Sequence, residues 1–210
     1  MDKKEKIKQA YIDYVLEHKT HPKSVLSFTK KLKLKESEFY EYYNSFESID
    51  RSVWLTFFEE TILKLESDEI YFNYSVREKL LAFYYTLIEV LKENRSFITY
   101  SIHKLREKPL KSGAFLVDFK TSFIVFIKEL LAEGKESQEI IERKFISDKY
   151  PEVFWGQLLL VLYFWAKDES TSFEKTDTLI EKAVNTSFDV MGSSVIDSVL
   201  DFAKFLIQNR

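Results

Sequence analysis

The chain has 210 residues and a mass of 25.0 kDa, enough for one large or two small domains that each bury a core. With 19 Phe, 12 Tyr, only four Gly and three Pro, and no Cys, it reads as an all-helical protein with an aromatic interior, and disulfides and thiolate metal sites are excluded. The net charge of -3 is uneven: the first 46 residues carry ten Lys and no Arg against seven acids, so a mildly basic head precedes an acidic body, as in a nucleic-acid-binding protein.

In chain order, the first predicted helix runs from Lys3 to His18, with Ile7, Ala10, Tyr11, Tyr14 and Val15 on one face. Pro22 cannot continue it but suits the start of the next helix, about Lys23 to Leu32. Residues 33–35 form a tight connection, and Glu36 to Tyr43 a further short helix. Asn44 and Ser45 break it. A long helix then carries Phe46, Ile49, Val53, Phe57, Ile62 and Leu65 to about Ser67. The apolar rhythm of threes and fours from Val25 to Trp54, with one tight break, is that of a helix-turn-helix feeding a connecting helix.

Residues 67–75 read as a connector, and Ser75 as the N-cap of a helix from Val76 to about Glu93. Asn94 to Arg106 forms another helix that stops before Pro109. The segment from Ala114 to Ala132 is apolar around much of its circumference, hence buried on more than one side, with Gly134 as its cap. A short helix is expected from Ser137 to Ser147, a break at Asp148 to Pro151, and a helix from Glu152 to Ala166. Two more follow, Phe173 to Val190 and Ser194 to Ile207, separated at Met191 to Ser193, for about ten helices in all.

The N-terminal MDKKEKIKQAY has no secretory pattern, and no apolar run approaches the roughly 20 residues of a membrane span. The longest candidate, Val153 to Ala166, is interrupted by Gly156 and Gln157. A reducing, cytoplasmic setting is expected.

The stretch from Ser24 to Ile49 resembles the helix-turn-helix of the TetR family of regulators. Ser24, Val25, Phe28, Leu34, Phe39, Tyr40 and Tyr43 fall on that family's apolar and aromatic places, and Glu47 on its acidic helix start. Helix order and length match along the chain. The resemblance implies an all-α, TetR-like fold: a three-helix head over 1–46, a linking helix over 46–67, and a helical ligand-binding and dimerising body over 68–210. It implies a one-component transcription regulator that binds double-stranded operator DNA as a homodimer, through its C-terminal helices, under control of a small hydrophobic or aromatic ligand.

Within that resemblance Lys23, Lys30, Lys33 and Lys35, with Lys31 beside them, are candidate phosphate partners, and Ser37, Tyr40 and Tyr42 neutral donors. The sequence departs from the family at several places. Lys33 stands where the turn usually has a small residue, Phe46 stands where a lysine commonly meets phosphate, and the recognition helix carries Glu36, Glu38 and Glu41. These departures keep open a second reading, a TetR-like carrier of lipid or other hydrophobic ligand that no longer engages DNA.

In the body, Tyr84, Phe97, Tyr100, Phe119, Phe123, Trp155 and Trp165 lie on helices that must pack together. They are candidate ligand-binding residues, centred on Tyr100, Phe123 and Trp155, beside the plainer role of core filling. No catalytic residue, metal site or cofactor is expected. His18, His21 and His103 lack metal-ligand spacing, and there is no nucleophile elbow, phosphate-cradling Gly loop or dinucleotide fingerprint. The apolar surplus over Val153 to Phe164 and Phe173 to Phe188 marks the expected dimer interface.

Overall fold

A computed structural model of the protein describes residues 2–107, 113–141 and 147–192. Among these there are nine α-helices and no strand: α1 (Lys3–His18), α2 (Val25–Lys31), α3 (Glu36–Tyr40), α4 (Phe46–Glu66), α5 (Val76–Lys92), α6 (Arg95–Glu107), α7 (Val117–Glu136), α8 (Tyr150–Lys167) and α9 (Glu174–Gly192). Short 3-10 turns precede α5, α7, α8 and α9. The expected last helix, Ser194 to Ile207, and the approach to Pro109 lie outside the described residues.

Serines start three of the helices by accepting the orphan N–H groups of the first turn. Ser24 accepts from the Ser27 amide, Ser45 from Ser48, and Ser75 from Glu78, whose carboxylate in turn accepts from the Ser75 amide at 2.8 Å. The expected cap at Ser75 is thus present as a reciprocal pair with Glu78.

Helices α1 to α3 and the start of α4 enclose an aromatic core. Phe46 stacks on Tyr11 at 5.7 Å and meets Phe28 and Phe39 edge-on at 5.5 and 5.6 Å. In the body, α5 lies between α4, α7 and α9. Here a second aromatic cluster runs through Trp54 and Phe58 of α4, Phe83 of α5, Phe119 and Phe123 of α7, and Trp155 of α8. Phe119 is 6.0 Å from Trp54, 5.5 Å from Phe58 and 6.2 Å from Trp155. Burying rings of this size contributes about 1.5–3 kcal/mol each before entropy is counted.

Four expectations change. Gly134 does not end its helix but lies inside α7, where a Cβ would stand 2.6 Å from Ile140 Cδ1. Glycine is there because the returning chain packs against the helix backbone. Residues 137–140 form a turn, with Gln138 at φ 64°, where the start of a short helix was expected. Pro151 is not a break but occupies the first turn of α8, where its missing N–H costs nothing. Met191 and Gly192, expected with Ser193 to separate the last two helices, are instead the final residues of α9, and Ser193 lies outside the described residues.

The link between α8 and α9 is held by Asp168. One carboxylate oxygen accepts from the Ser170 amide and hydroxyl at 2.9 and 2.6 Å, the other from the Thr176 amide and hydroxyl at 2.9 and 2.6 Å. Arg95 of α6 donates to the Asp168 carbonyl at 2.9 Å and lies over the Phe173 ring at 4.4 Å. Burial alone would raise the Asp168 pKa, but the four donors outweigh it and bring the pKa down to about 2 from an ordinary 3.8. A carboxylate acidified by folding stabilises the fold fully above its unfolded pKa, and this contribution fades as the pH falls toward the folded value. Urea unfolding of wild type and Asp168→Asn should therefore show a stability gap at pH 7 that narrows between about pH 4 and pH 2.

Candidate functional site

The turn between α2 and α3 is closed by the Leu34 amide, which donates to Thr29 O at 3.0 Å. Lys33 lies at its apex with φ 57°, in the left-handed region that a glycine would occupy without strain. The turn thus leaves Lys33 exposed. All seven of Lys23, Lys30, Lys33, Lys35, Ser37, Tyr40 and Tyr42 are exposed. Phe39 and Tyr43 point the other way and are buried, at 0% and 5% exposure.

The acids of α3 divide by role. Glu38 accepts from Lys3 Nζ of α1 at 2.7 Å and from the Lys35 amide at 2.8 Å. The Lys3 hydrogen bond, followed by that from Lys35, holds its carboxyl below the usual carboxylate range, and Glu38 raises the Lys3 pKa in return. Glu38 is therefore a cap and a strut that fastens α3 to α1. Glu41 is exposed and Glu36 partly exposed. Phe46 is 8% exposed and belongs to the head core, so packing occupies the place where a phosphate contact was looked for.

A polar cluster joins the head to the body. Asp50, in the second turn of α4, is 8% exposed and accepts from Tyr11 Oη at 2.8 Å. His21 Nε2 is 3.2 Å from its other oxygen, and Lys104 Nζ of α6 is 2.9 Å from the same ring nitrogen. Tyr100, also on α6, donates to Lys19 O at 3.4 Å. Burial first, and then the Asp50 charge, push the Tyr11 pKa far up, so it remains a donor at any working pH. The loop histidine was visible in the sequence, but its acid partner was not. Asp50 looked like one more charge in a helix, although it falls one residue after the core position Ile49.

The candidate ligand residues are placed as follows. Tyr84, Phe97, Phe119, Phe123 and Trp165 have 0% exposure in the body core. Trp155 is partly buried and completes a group with Phe119 and Phe123, 6.0 Å from the latter. Tyr100 stands apart from that group, beside Lys19 and His103 at the seam with the head. None of the seven lines the apolar recess of about 500 Å³ that opens between the second half of α4, the turn before α5, and α7. Its walls include Phe58, Ile62, Leu65, Tyr71, Val125, Phe126 and Leu130, with Lys79, Glu66, Glu129 and Glu133 as polar groups. Lys79 had a legible signal: with Val76 and Phe83 it falls on the apolar stripe of α5, three residues after one and four before the other.

Among the described residues no group of three or more acids or histidines could hold a metal, and no helix is long and apolar enough to cross a membrane.

A helix-turn-helix head joined through one long helix to a larger helical body is an all-α, TetR-like architecture. The "Tetracyclin repressor-like, C-terminal domain" family matches residues 79–206, more than half of the chain, and the protein belongs to this TetR family of transcriptional regulators. Among solved structures, the chain is similar in fold to the fatty acid degradation regulator FadR from Bacillus halodurans. The TM-score is 0.63 at 19% identity, over 88% of this chain and 95% of that one. No curated protein sequence matches significantly.

Replacing Tyr11 with Phe removes the buried donor to Asp50 and leaves its carboxylate short of a partner. Equilibrium unfolding should show a loss of about 1–3 kcal/mol for Tyr11→Phe; an unchanged midpoint would mean that His21 suffices to hold Asp50.

Proposed function

We propose that the protein regulates transcription by binding operator DNA as a homodimer, with the α2–α3 surface on the duplex and a small hydrophobic or aromatic ligand in the body setting its affinity. The observation that carries the DNA reading is the outward face of the helix-turn-helix. It presents Lys30, Lys33, Lys35, Ser37, Tyr40 and Tyr42 together, while Glu38 is turned to structural use. Lysines and neutral donors position such a helix on phosphates, and releasing counterions supplies most of the affinity.

The ligand control is assigned to the recess. Helix α4 has Phe46 and Ile49 in the head core, while Phe58, Ile62 and Leu65 wall the recess. Its 21 residues span about 30 Å, so a shift of the recess end reaches the head as a change of its position. The similar FadR is a regulator of fatty acid degradation, which agrees with an apolar ligand in this class of body. The reading without DNA binding is favoured by Glu36 and Glu41 on the same head, whose carboxylates repel phosphate.

Dimerisation is supported by α8. Val153, Leu160 and Phe164 are exposed on one face, at 58%, 52% and 37%, and at Gly156 on that face an added Cβ would meet nothing within 4 Å. An apolar strip of this kind, with a glycine that lets a second helix approach, fits a two-fold bundle.

Titration of promoter-region and random duplexes over a salt series tests the DNA reading. Specific binding that weakens steeply with salt is expected, and Lys33→Ala with Lys35→Ala should lower the salt slope by about 2. No binding at low salt would favour the carrier. Light scattering tests the dimer: the wild type should show twice the 25.0 kDa chain mass, and Leu160→Arg should show the single chain.

A further inference from the structure

We propose that the recess between α4 and α7 takes an amphipathic cation, an alkylammonium whose apolar body lies on Phe58, Ile62 and Phe126 and whose head sits among Glu66, Glu129 and Glu133. The inference deepens the ligand-controlled reading above and rests on it only for its consequence at DNA.

The walls carry three carboxylates and one ammonium. That ammonium, Lys79, is already taken: it donates to Glu133 at 2.5 Å, with only 10% of its side chain exposed, and faces the Tyr71 ring at 6.0 Å. Among the described residues Glu66 and Glu129 form no ion pair. An entering anion would meet both of them uncompensated, and at Lys79 it would share one ammonium with the Glu133 carboxylate. A cation meets the opposite balance. It finds two carboxylates without a counter-ion, and it can lie against aromatic faces, which attract positive charge.

Tyr71 reports the same field. Its hydroxyl is pushed up to about 12, by burial first and then by the charges of Glu133 and Glu66. Size agrees as well, since about 500 Å³ lies within the roughly 300–1,000 Å³ of small-molecule sites. The exposed Val125 and Phe72 stand at the edge of the recess and leave an entry from solvent.

Calorimetric titration of the full chain, without DNA, with octyltrimethylammonium, octanol and octanoate tests the proposal. The ammonium should bind about tenfold more tightly than octanol, and octanoate more weakly than octanol. Glu66→Gln with Glu129→Gln should bring the ammonium to within about threefold of octanol while octanol affinity stays unchanged, which also shows that the variant is folded. Val125→Trp, which fills the mouth, should abolish binding of all three. Octanoate binding as tightly as the ammonium, an ammonium affinity indifferent to either variant, or no binding by any of the three would overturn the assignment. Because no DNA is present, these outcomes are separate from the salt titration that tests the regulator reading. A repeat of that titration with octyltrimethylammonium then shows whether an occupied recess changes DNA affinity.

Discussion

The fold depends on one helix that must satisfy two cores at once. Helix α4 gives Phe46, Ile49 and Val53 to the head end and Trp54, Phe57, Phe58 and Leu65 to the body, and all are buried. A helix with a single apolar stripe cannot do this, because two cores approach it from different directions. The aromatic residues in its second half also set the spacing of α7 through Phe119 and of α5 through Phe83. The head is therefore not a bead on a flexible string. Its position follows from how α4 is gripped in the body, and the Asp50, His21 and Lys104 cluster adds a second, polar attachment through α6.

The acidic helix α3 is the place where charge and geometry have to be weighed together. Counting charges alone sets Glu36, Glu38 and Glu41 against the surrounding lysines. The structure removes Glu38 from that account, because its two oxygens hold the Lys3 ammonium and the Lys35 amide. An exposed pair of this kind contributes little to stability, but it fixes the attitude of a helix only five residues long. Phe46 follows similar logic. Its ring meets Tyr11, Phe28 and Phe39, so α1, α2 and α3 are tied to α4 by ring contacts at the same place.

Much of the fold was legible because helical periodicity and serine caps are local signals. The bounds of α1 and the starts of α3, α4 and α5 were read directly from the sequence and agree with the structure. Gly134 and Pro151 were misread because the same residue types that end helices also serve inside them: glycine where another segment crowds the backbone, proline where the first turn has no N–H to pair. The site was less legible. A row of Phe and Trp marks a core, but the sequence does not say which rings close on one another and which line a space. Phe119 and Phe123 close the core, whereas Phe126, a turn further along α7, is shared between the core and the recess.

That sharing bears on how an effector would act. A recess at the edge of a packed aromatic cluster differs from a cavity in its middle, because some of its wall residues are also members of the cluster. Protein interiors are close-packed and compress little, so a displacement of one wall is passed on rather than absorbed. Phe58 and Phe126 are wall residues and also cluster members: Phe126 lies 4.7 Å from Phe83, and Phe58 lies 5.5 Å from Phe119. A ligand that spreads α4 from α7 at the recess would thus act on rings that hold the middle of α4, and through α4 on Phe46 and Ile49 in the head. The ring contacts that join α4, α5 and α7 supply the path for such a coupling.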